Sequence, residues 1–411
     1  MAEHRIHRAR RSPTPVAVAI VIALLIGAGV GWLVARNTGR ATPAAISSTR
    51  RGKQTATASA RRAHRGVPSS TSVTRRSAPS TTAPPPLQLS ATSPADGARH
   101  VAATGPFIVR FSAPLAGGSP MPRLIPAVPG RWTRSGDAVI FRPSMPLLPL
   151  TALRLVVPNN MQATDGARLL HPEAVHFRIA DGSVLRLQQL LSLLEYSPLA
   201  FSSPGEPPPT DVARQRVALY RPPSGTFAWR QAGWPVRLTS LWVQGSDNVF
   251  TRGLTMSFQA DHGLDPNGAR TAALWGDLLA ALAQGLRNHG GYNYALANKV
   301  RPEHLLVYHD GSVVVVSPAN TGIAGSPTPD GTFPVYTRLR RQVMRGKNPN
   351  GTKYADLVQY IAYFHGNDAV HYMPRAGYGI PQSLGCIELP LAKAATAWPY
   401  LAYGTLVTVT G

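Results

Sequence analysis

The longest apolar run in the chain lies near its N-terminus, at residues 15–35, and reads PVAVAIVIALLIGAGVGWLVA. Its 21 positions carry no charge, so a helix over them is long enough to span a bilayer. Arginines in the short tail, residues 1–14, favour a cytoplasmic N-terminus, although Arg36 and Arg40 beyond the run weaken that bias. The pattern predicts a signal anchor that leaves the rest of the chain outside the membrane. A cleaved export signal is the alternative, and either one implies export.

Residues 87–182 contain short runs in which apolar and polar positions alternate. Clusters of Pro, Gly, Asn and Asp separate these runs, which include FIVRFS at 107–112, DAVIFRP at 137–143 and AVHFRI at 174–179. Such alternation predicts the short strands of an all-β sandwich. No catalytic constellation is present in this segment, so we interpret it as a spacer.

A helical stripe follows in residues 184–196, where apolar residues recur at 184, 187, 190, 191 and 194. Further helical segments lie within residues 250–282, so residues 183–302 are expected to form a small helical domain. Residues 197–249 interrupt it with aromatic residues in a Pro- and Gly-rich context, namely Phe227, Trp229, Trp234 and Trp242. We predict that this insertion is β-rich rather than helical.

Residues 303–411 return to alternating strands and turns. Two apolar runs are joined by His309, Asp310 and Gly311, and an Asp-Gly pair at such a junction is a strong hairpin signal. A final strand, TLVTVTG, ends the chain. The whole pattern predicts a multidomain, mainly β chain with one N-terminal transmembrane helix.

The net charge of +23 resides largely in segments without a predicted fold. Residues 36–86 hold ten Arg or Lys and no Asp or Glu, and their Ser-, Thr-, Ala- and Pro-rich composition predicts a disordered basic linker. No arginine-rich helix, zinc spacing or RNA-recognition signature is present. Nucleic acid is therefore not an expected partner.

Cys386, within PQSLGCIELP, is the only cysteine of the chain. An exported free thiol is exposed to oxidation, so this residue is either buried and inert or kept for its chemistry. A thiol nucleophile needs a base, and His365 and His371 both lie upstream in the same region. Gly385 permits a tight turn that presents backbone N–H groups. No metal or other cofactor is expected, because one cysteine cannot build a thiolate zinc site and HExxH spacing is absent.

The segment AVHYMPRAGYGIPQSLGCIELP resembles the signature of the YkuD-type L,D-transpeptidase catalytic domain. His371 takes the place of the family histidine, fifteen residues before Cys386, and Ser383 and Gly385 match the Ser-x-Gly-Cys frame. Upstream, NTGIAGSPTPDGTFPVY at 320–336 matches the family's G…TPxGxF element. The resemblance covers residues 303–411, about a quarter of the chain.

The segment also departs from the family pattern. Leu384 stands where the family often has His, Glu388 replaces the usual arginine, and Tyr372 replaces the glycine after the histidine. Arg375 is positioned to supply a cation instead. His365 lies 21 residues before the cysteine, too many for the family spacing, so the other histidine is the preferred base.

Two further resemblances fit the same setting. Residues 87–182 resemble a bacterial Ig-like domain, and residues 183–302 resemble the three-helix peptidoglycan-binding module, interrupted by the insertion at 197–249. Together the resemblances imply a bacterial cell-wall enzyme that is held in the membrane by one helix, with its catalytic domain outside the cytoplasm. Peptidoglycan stem tetrapeptides are the implied substrate, and carbapenems are the implied inhibitors.

The resemblance implies acyl transfer through a thioester on Cys386 and 3→3 cross-linking of peptidoglycan stems. His371 would be the base, the backbone N–H groups of Cys386 and Gly385 would hold the oxyanion, and Ser383 would orient the site. Four residues are expected to contact substrate: Arg375, Tyr372, Gly379 and Glu388. Two alternatives remain: a peptidoglycan-binding protein with weak or no turnover, and an L,D-carboxypeptidase that uses water as acceptor.

Overall fold

The computed structural model describes residues 83–411. The predicted tail at 1–14, the predicted transmembrane anchor at 15–35 and all but the end of the predicted linker at 36–86 lie outside the described residues. Among the helices of residues 83–411, none combines the length and the apolar character that a membrane crossing requires.

The first folded segment consists of two four-stranded sheets. One sheet has the order β1 (Leu89–Ser93), β3 (Phe107–Phe111), β6 (Ala138–Pro143), β5 (Gly130–Ser135). The other has the order β2 (Ala98–Val101), β8 (Glu173–Ile179), β7 (Ala152–Val157), β4 (Arg123–Ile125). The predicted alternation explains the packing, because Phe107, Val109 and Phe111 point into one core that both sheets share. A β-sandwich is therefore present, while its Ig-like character stays a prediction.

A helical segment follows. Its three longer helices are α1 (Val184–Leu193), α4 (Val249–Asp261) and α5 (Ala272–Ala283). Side-chain caps begin each of them: Ser183, Asn248 and Thr271 accept from backbone N–H groups of the first turn. The apolar stripe of α1 packs against α4 and α5, as the periodicity predicts. Whether this bundle binds peptidoglycan stays a prediction.

The insertion at 197–249 differs from the expected β-rich structure. It holds one two-stranded sheet, β9 (Leu199–Ser202) with β10 (Thr226–Trp229), and two short helices, α2 (Val212–Ala218) and α3 (Val236–Thr239). Phe227 and Trp229 do lie on a strand, β10, whereas Trp234 and Trp242 lie outside strands. Phe227, Trp229 and Trp242 pack onto the helical core around Phe250.

The C-terminal segment contains a five-stranded and a four-stranded sheet. The first has the order β13 (Ser312–Pro318), β12 (His304–His309), β11 (Asn293–Asn298), β19 (Leu406–Thr410), β14 (Gly331–Pro334). The second has the order β15 (Thr337–Lys347), β16 (Lys353–His365), β17 (Asp368–Tyr372), β18 (Ile387–Leu389). Because β11 lies in the middle of the first sheet, the predicted domain boundary at 303 is wrong and falls too late in the chain.

The central strands β11 and β19 of the five-stranded sheet are covered on both faces. On one face, Ala295, Val307 and Val409 meet the four-stranded sheet and α6 (Leu391–Ala397) in a shared core. On the other face, Tyr294 and Leu406 join the core of the helical segment. The helical segment therefore packs directly against the sheet that supports the C-terminal site.

Candidate active site

The outer face of the four-stranded sheet borders an open cavity of about 820 Å³. The side chains that line it include Cys386, His371, Arg375, Glu388 and Asp368. The inner face of the same sheet is packed against the five-stranded sheet. One face thus builds the core, and the other presents reactive groups.

Strand alternation explains how the cysteine and the histidine reach the same cavity. In β17, Val370 points into the core, whereas the neighbouring His371 points to the cavity. The parallel pairing with β18 sets Val370 opposite Ile387 and His371 opposite Glu388. Cys386 comes directly before Ile387 and therefore shares the cavity face with His371. A parallel strand pair joined by a loop thus converts the fifteen-residue spacing into proximity.

His371 is held in one tautomer. Its Nδ1 lies 3.0 Å from the backbone oxygen of Tyr372, and a carbonyl oxygen only accepts hydrogen bonds. Nδ1 therefore carries the proton, and Nε2 keeps the lone pair that a base needs. Only 3% of the residue is exposed, and this burial lowers the pKa of the imidazole below its usual value. His371 is accordingly neutral at pH 7.

The thiol of Cys386 is half-buried and protonated at rest. Burial is the main reason that the pKa of the thiol is raised to about 12. A hydrogen bond from the backbone N–H of Ala369 opposes this rise, and the nearby carboxylates of Asp368 and Glu388 add to it. The sulfur also lies 3.8 Å from the backbone oxygen of Asn367. The resting pair is thus a neutral thiol with a neutral imidazole, so proton transfer must accompany attack on a substrate.

The loop before the cysteine is fixed from two sides. Ser383 Oγ donates to the backbone oxygen of Cys386 at 2.6 Å and accepts from the N–H of Gly385 at 3.2 Å. Thr328 Oγ1 approaches the same Cys386 oxygen at 3.5 Å, and Ser326 Oγ donates to the oxygen of Leu384 at 2.9 Å. The TPxGxF element therefore buttresses the cysteine loop. Ser383 orients this loop rather than the histidine.

The structure corrects one expected role. Because the N–H of Gly385 already donates to Ser383 Oγ, it is not free to hold an oxyanion. Within residues 83–411, the backbone N–H groups of Leu384 and Cys386 make no such hydrogen bond. Gly385 instead allows the backbone conformation of this loop, because its φ of +121° lies in a region that residues with a side chain rarely adopt.

Glu388 and Arg375 form an ion pair at the cavity wall. Arg375 Nε lies 2.7 Å from Glu388 Oε2, and Arg375 Nη2 lies 2.6 Å from Glu388 Oε1. The Glu388 side chain is 5% exposed and that of Arg375 is 28% exposed. The carboxylate that replaces the usual arginine of the signature is therefore neutralised by a guanidinium that faces the same cavity.

Three other candidates lie away from the cavity lining. Tyr372 packs against the core on the inner face, so its expected substrate contact is not supported by its position. Gly379 exchanges backbone hydrogen bonds with Glu303 and Ala319, which makes it a structural residue. His365 is half-exposed, and its Nδ1 lies 3.1 Å from Asp368 Oδ2. Of the two histidines, only His371 lines the cavity with Cys386.

Several cavity residues were not found from the sequence. Asp368 follows the turn between β16 and β17, while Tyr354, Asp356 and Tyr363 come from the long hairpin of β15 and β16. The available signal was weak: Asp368 stands three residues before His371, at the start of the same strand. Among residues 83–411, no group of three His, Cys, Asp or Glu side chains is arranged to hold a metal ion.

Comparison with known proteins identifies the family of the C-terminal segment. Residues 292–409 match the family model of the YkuD L,D-transpeptidase catalytic domain. The C-terminal segment therefore belongs to this family, and the predicted resemblance is confirmed for it. The matched range also includes β11, as the sheet topology requires. A search of curated proteins finds no match.

Solved L,D-transpeptidases are similar to parts of the chain. The enzyme from Mycobacterium smegmatis shares 15% identity over 80% of this chain and 100% of its own, with a TM-score of 0.27. L,D-transpeptidase 3 from Mycobacterium tuberculosis, in complex with a faropenem-derived adduct, shares 14% sequence identity. The match covers 79% of this chain and 98% of that enzyme's chain, with a TM-score of 0.28. The catalytic domain of the E. faecium L,D-transpeptidase, acylated by ertapenem, shares 25% sequence identity. The match covers 30% of this chain and 100% of that domain, with a TM-score of 0.27.

Proposed function

We propose that this protein cross-links peptidoglycan stems by L,D-transpeptidation, with Cys386 as nucleophile and His371 as base. The observation that carries the proposal is the shared cavity: the only thiol of the chain faces it beside a buried imidazole with a free Nε2. The family match of residues 292–409 supplies the substrate class. The 3→3 linkage is part of the proposal.

The reaction would proceed in two acyl transfers. Cys386 attacks the amide carbonyl before the terminal D-Ala of a tetrapeptide stem, and His371 Nε2 takes the thiol proton. The free backbone N–H groups of Leu384 and Cys386 are the proposed oxyanion donors. His371 then protonates the leaving D-Ala amine. A side-chain amine of a second stem attacks the thioester and releases the thiol.

The cation of Arg375 is the proposed contact for a substrate carboxylate. Its guanidinium lines the cavity and is only partly used by Glu388. This arrangement argues against the alternative of a peptidoglycan-binding protein without turnover. That alternative rested on Glu388 and Leu384, and the ion pair compensates locally for the charge reversal at 388.

The remaining segments are proposed to place this domain in the cell wall. The β-sandwich would act as a spacer, and the helical segment would contact glycan. Residues 15–35 would anchor the protein in the membrane. We also propose that carbapenems acylate Cys386, as ertapenem acylates the E. faecium domain.

Product analysis tests the proposal. The full-length protein is incubated with a synthetic tetrapeptide stem, and the products are separated by mass. Release of D-Ala with formation of a 3→3 dimer is expected, and both should be lost in Cys386→Ala and reduced in His371→Gln. Release of D-Ala without any dimer would favour the carboxypeptidase, and no release would refute turnover.

A further inference from the structure

Asp368 is a cavity carboxylate to which the reaction described above assigns no role. It stands at the first position of β17, immediately beside the thiol in space. The residues on either side of it both touch the sulfur: Asn367 through its backbone oxygen at 3.8 Å and Ala369 through its N–H. The carboxylate therefore flanks Cys386 from the side of β17.

The same carboxylate also lies against the residue before the nucleophile. A side-chain carbon added at Gly385 would come within 2.2 Å of Asp368 Oδ1. The other oxygen, Oδ2, contacts His365 Nδ1 at 3.1 Å. Within residues 83–411, Oδ1 accepts no hydrogen bond, and its side chain remains 19% exposed. One carboxylate oxygen thus faces the reaction centre with unused acceptor capacity.

A negative charge at this position works against the first half of the reaction. The Asp368 carboxylate raises the pKa of the Cys386 thiol and therefore disfavours the thiolate that attacks the donor stem. A group that opposes one step while facing the reacting atom is expected to serve another step. The second half of the proposed reaction has the opposite requirement, because its acceptor arrives as a primary ammonium ion.

We propose that Asp368 Oδ1 binds the ammonium group of the acyl acceptor and so directs the thioester toward aminolysis rather than hydrolysis. This inference rests on the proposed function and adds the acceptor site to it. The ammonium loses one proton to solvent, and the neutral amine attacks the thioester carbonyl. His371 Nε2 takes the second proton and passes it to the departing sulfur, so that an amide and a free thiol result. Asp368 binds and positions the amine but takes no proton.

The other two carboxylates of the cavity are less suited to this role. Both carboxylate oxygens of Glu388 accept hydrogen bonds from Arg375, and the Glu388 side chain is 5% exposed. Asp356 lies on β16, opposite Met344 in the hairpin rather than beside the cysteine loop. Of the three, only Asp368 has chain neighbours that touch the sulfur and a carboxylate in contact with Gly385.

The test compares two amines that differ in charge. The full-length protein receives a tetrapeptide stem as donor and, in excess, either Nα-acetyl-lysine amide, whose side chain is an ammonium ion, or hydroxylamine, which is neutral at pH 7. Aminolysis and hydrolysis products are counted by mass. In Asp368→Asn the ratio of lysine adduct to hydrolysis should fall about tenfold or more, as expected for loss of a charge-assisted hydrogen bond. The hydroxylamine ratio should stay within about twofold.

Two control variants separate the possible causes. His365→Gln keeps the carboxylate and removes its neighbour, and the lysine ratio should stay within about twofold. Asp356→Asn removes a different cavity charge and should lower that ratio less than Asp368→Asn does. The inference is overturned if Asp368→Asn lowers the ratio of aminolysis to hydrolysis equally for both amines, or if it lowers neither ratio. It is also overturned if Asp356→Asn lowers the lysine ratio as much as Asp368→Asn does. Absence of D-Ala release by the unaltered protein would instead refute the proposed function.

Discussion

The ion pair of Arg375 and Glu388 predicts an asymmetric cost for the removal of either partner. Two charge-assisted hydrogen bonds of 2.6 and 2.7 Å join groups that are 28% and 5% exposed. Arg375→Gln leaves the more buried charge without its partner and should lower the free energy of unfolding of this domain by about 2–4 kcal/mol. Glu388→Gln leaves the arginine partly in water and an amide oxygen to accept from it, so about 1–2 kcal/mol is expected.

Hydrogen exchange is the suitable assay, because amides of β17 and β18 report the stability of this domain within a multidomain chain. The double variant, with Arg375→Gln and Glu388→Gln together, should lose no more free energy of unfolding than Arg375→Gln alone, because no unpaired charge remains. Two single variants that each cost under about 0.5 kcal/mol would refute a buried, energetically coupled pair.

Three other predictions concern Cys386, His371 and the loop before the cysteine. Alkylation of Cys386 by iodoacetamide near neutral pH should be about a hundredfold slower than that of a free cysteine, because burial raises the pKa of its thiol to about 12. Equal alkylation rates for Cys386 and a free cysteine would contradict the protonated resting state. Acylation by a carbapenem should hold down to pH 6.5 and decline only below it, because burial lowers the pKa of His371, and a decline that begins above 6.5 would exclude this assignment. Ser383→Ala should slow acylation about tenfold, because it loses the hydroxyl that donates to the backbone oxygen of Cys386. Gly385→Ala should slow acylation more strongly, because the new side chain meets a backbone φ of +121° and the Asp368 carboxylate. Both proteins should remain folded, and an acylation rate of Gly385→Ala equal to that of the unaltered protein would contradict the loop geometry.

The sequence predicted those features that depend on local pattern. Strand alternation located the β-sandwich, and helical periodicity located α1. The spacing of His371 and Cys386 was informative because both residues border one loop between adjacent parallel strands. Their proximity could therefore be expected from the sequence alone, although the catalytic roles themselves stay proposals.

Features that depend on long-range packing were not predictable in the same way. The role of β11 was missed because a short strand after a helix has no local mark of its place in a sheet. The expected contact of Tyr372 ignored the alternation that turns it away from His371. Asp368 was overlooked because its position depends on the irregular pairing at the end of β16. Each error concerns which face of a strand a side chain occupies, or which strands are neighbours.

The assignment of Cys386 as the acylated nucleophile is tested most directly by the intact mass of the full-length protein after incubation with ertapenem. We expect a single covalent adduct, its loss in Cys386→Ala, and its retention in Ser326→Ala, a change in the buttress that leaves the thiol in place. An adduct that survives Cys386→Ala would contradict the assignment of the nucleophile. The absence of any adduct under conditions that label the E. faecium domain would contradict an active acyl-transfer site.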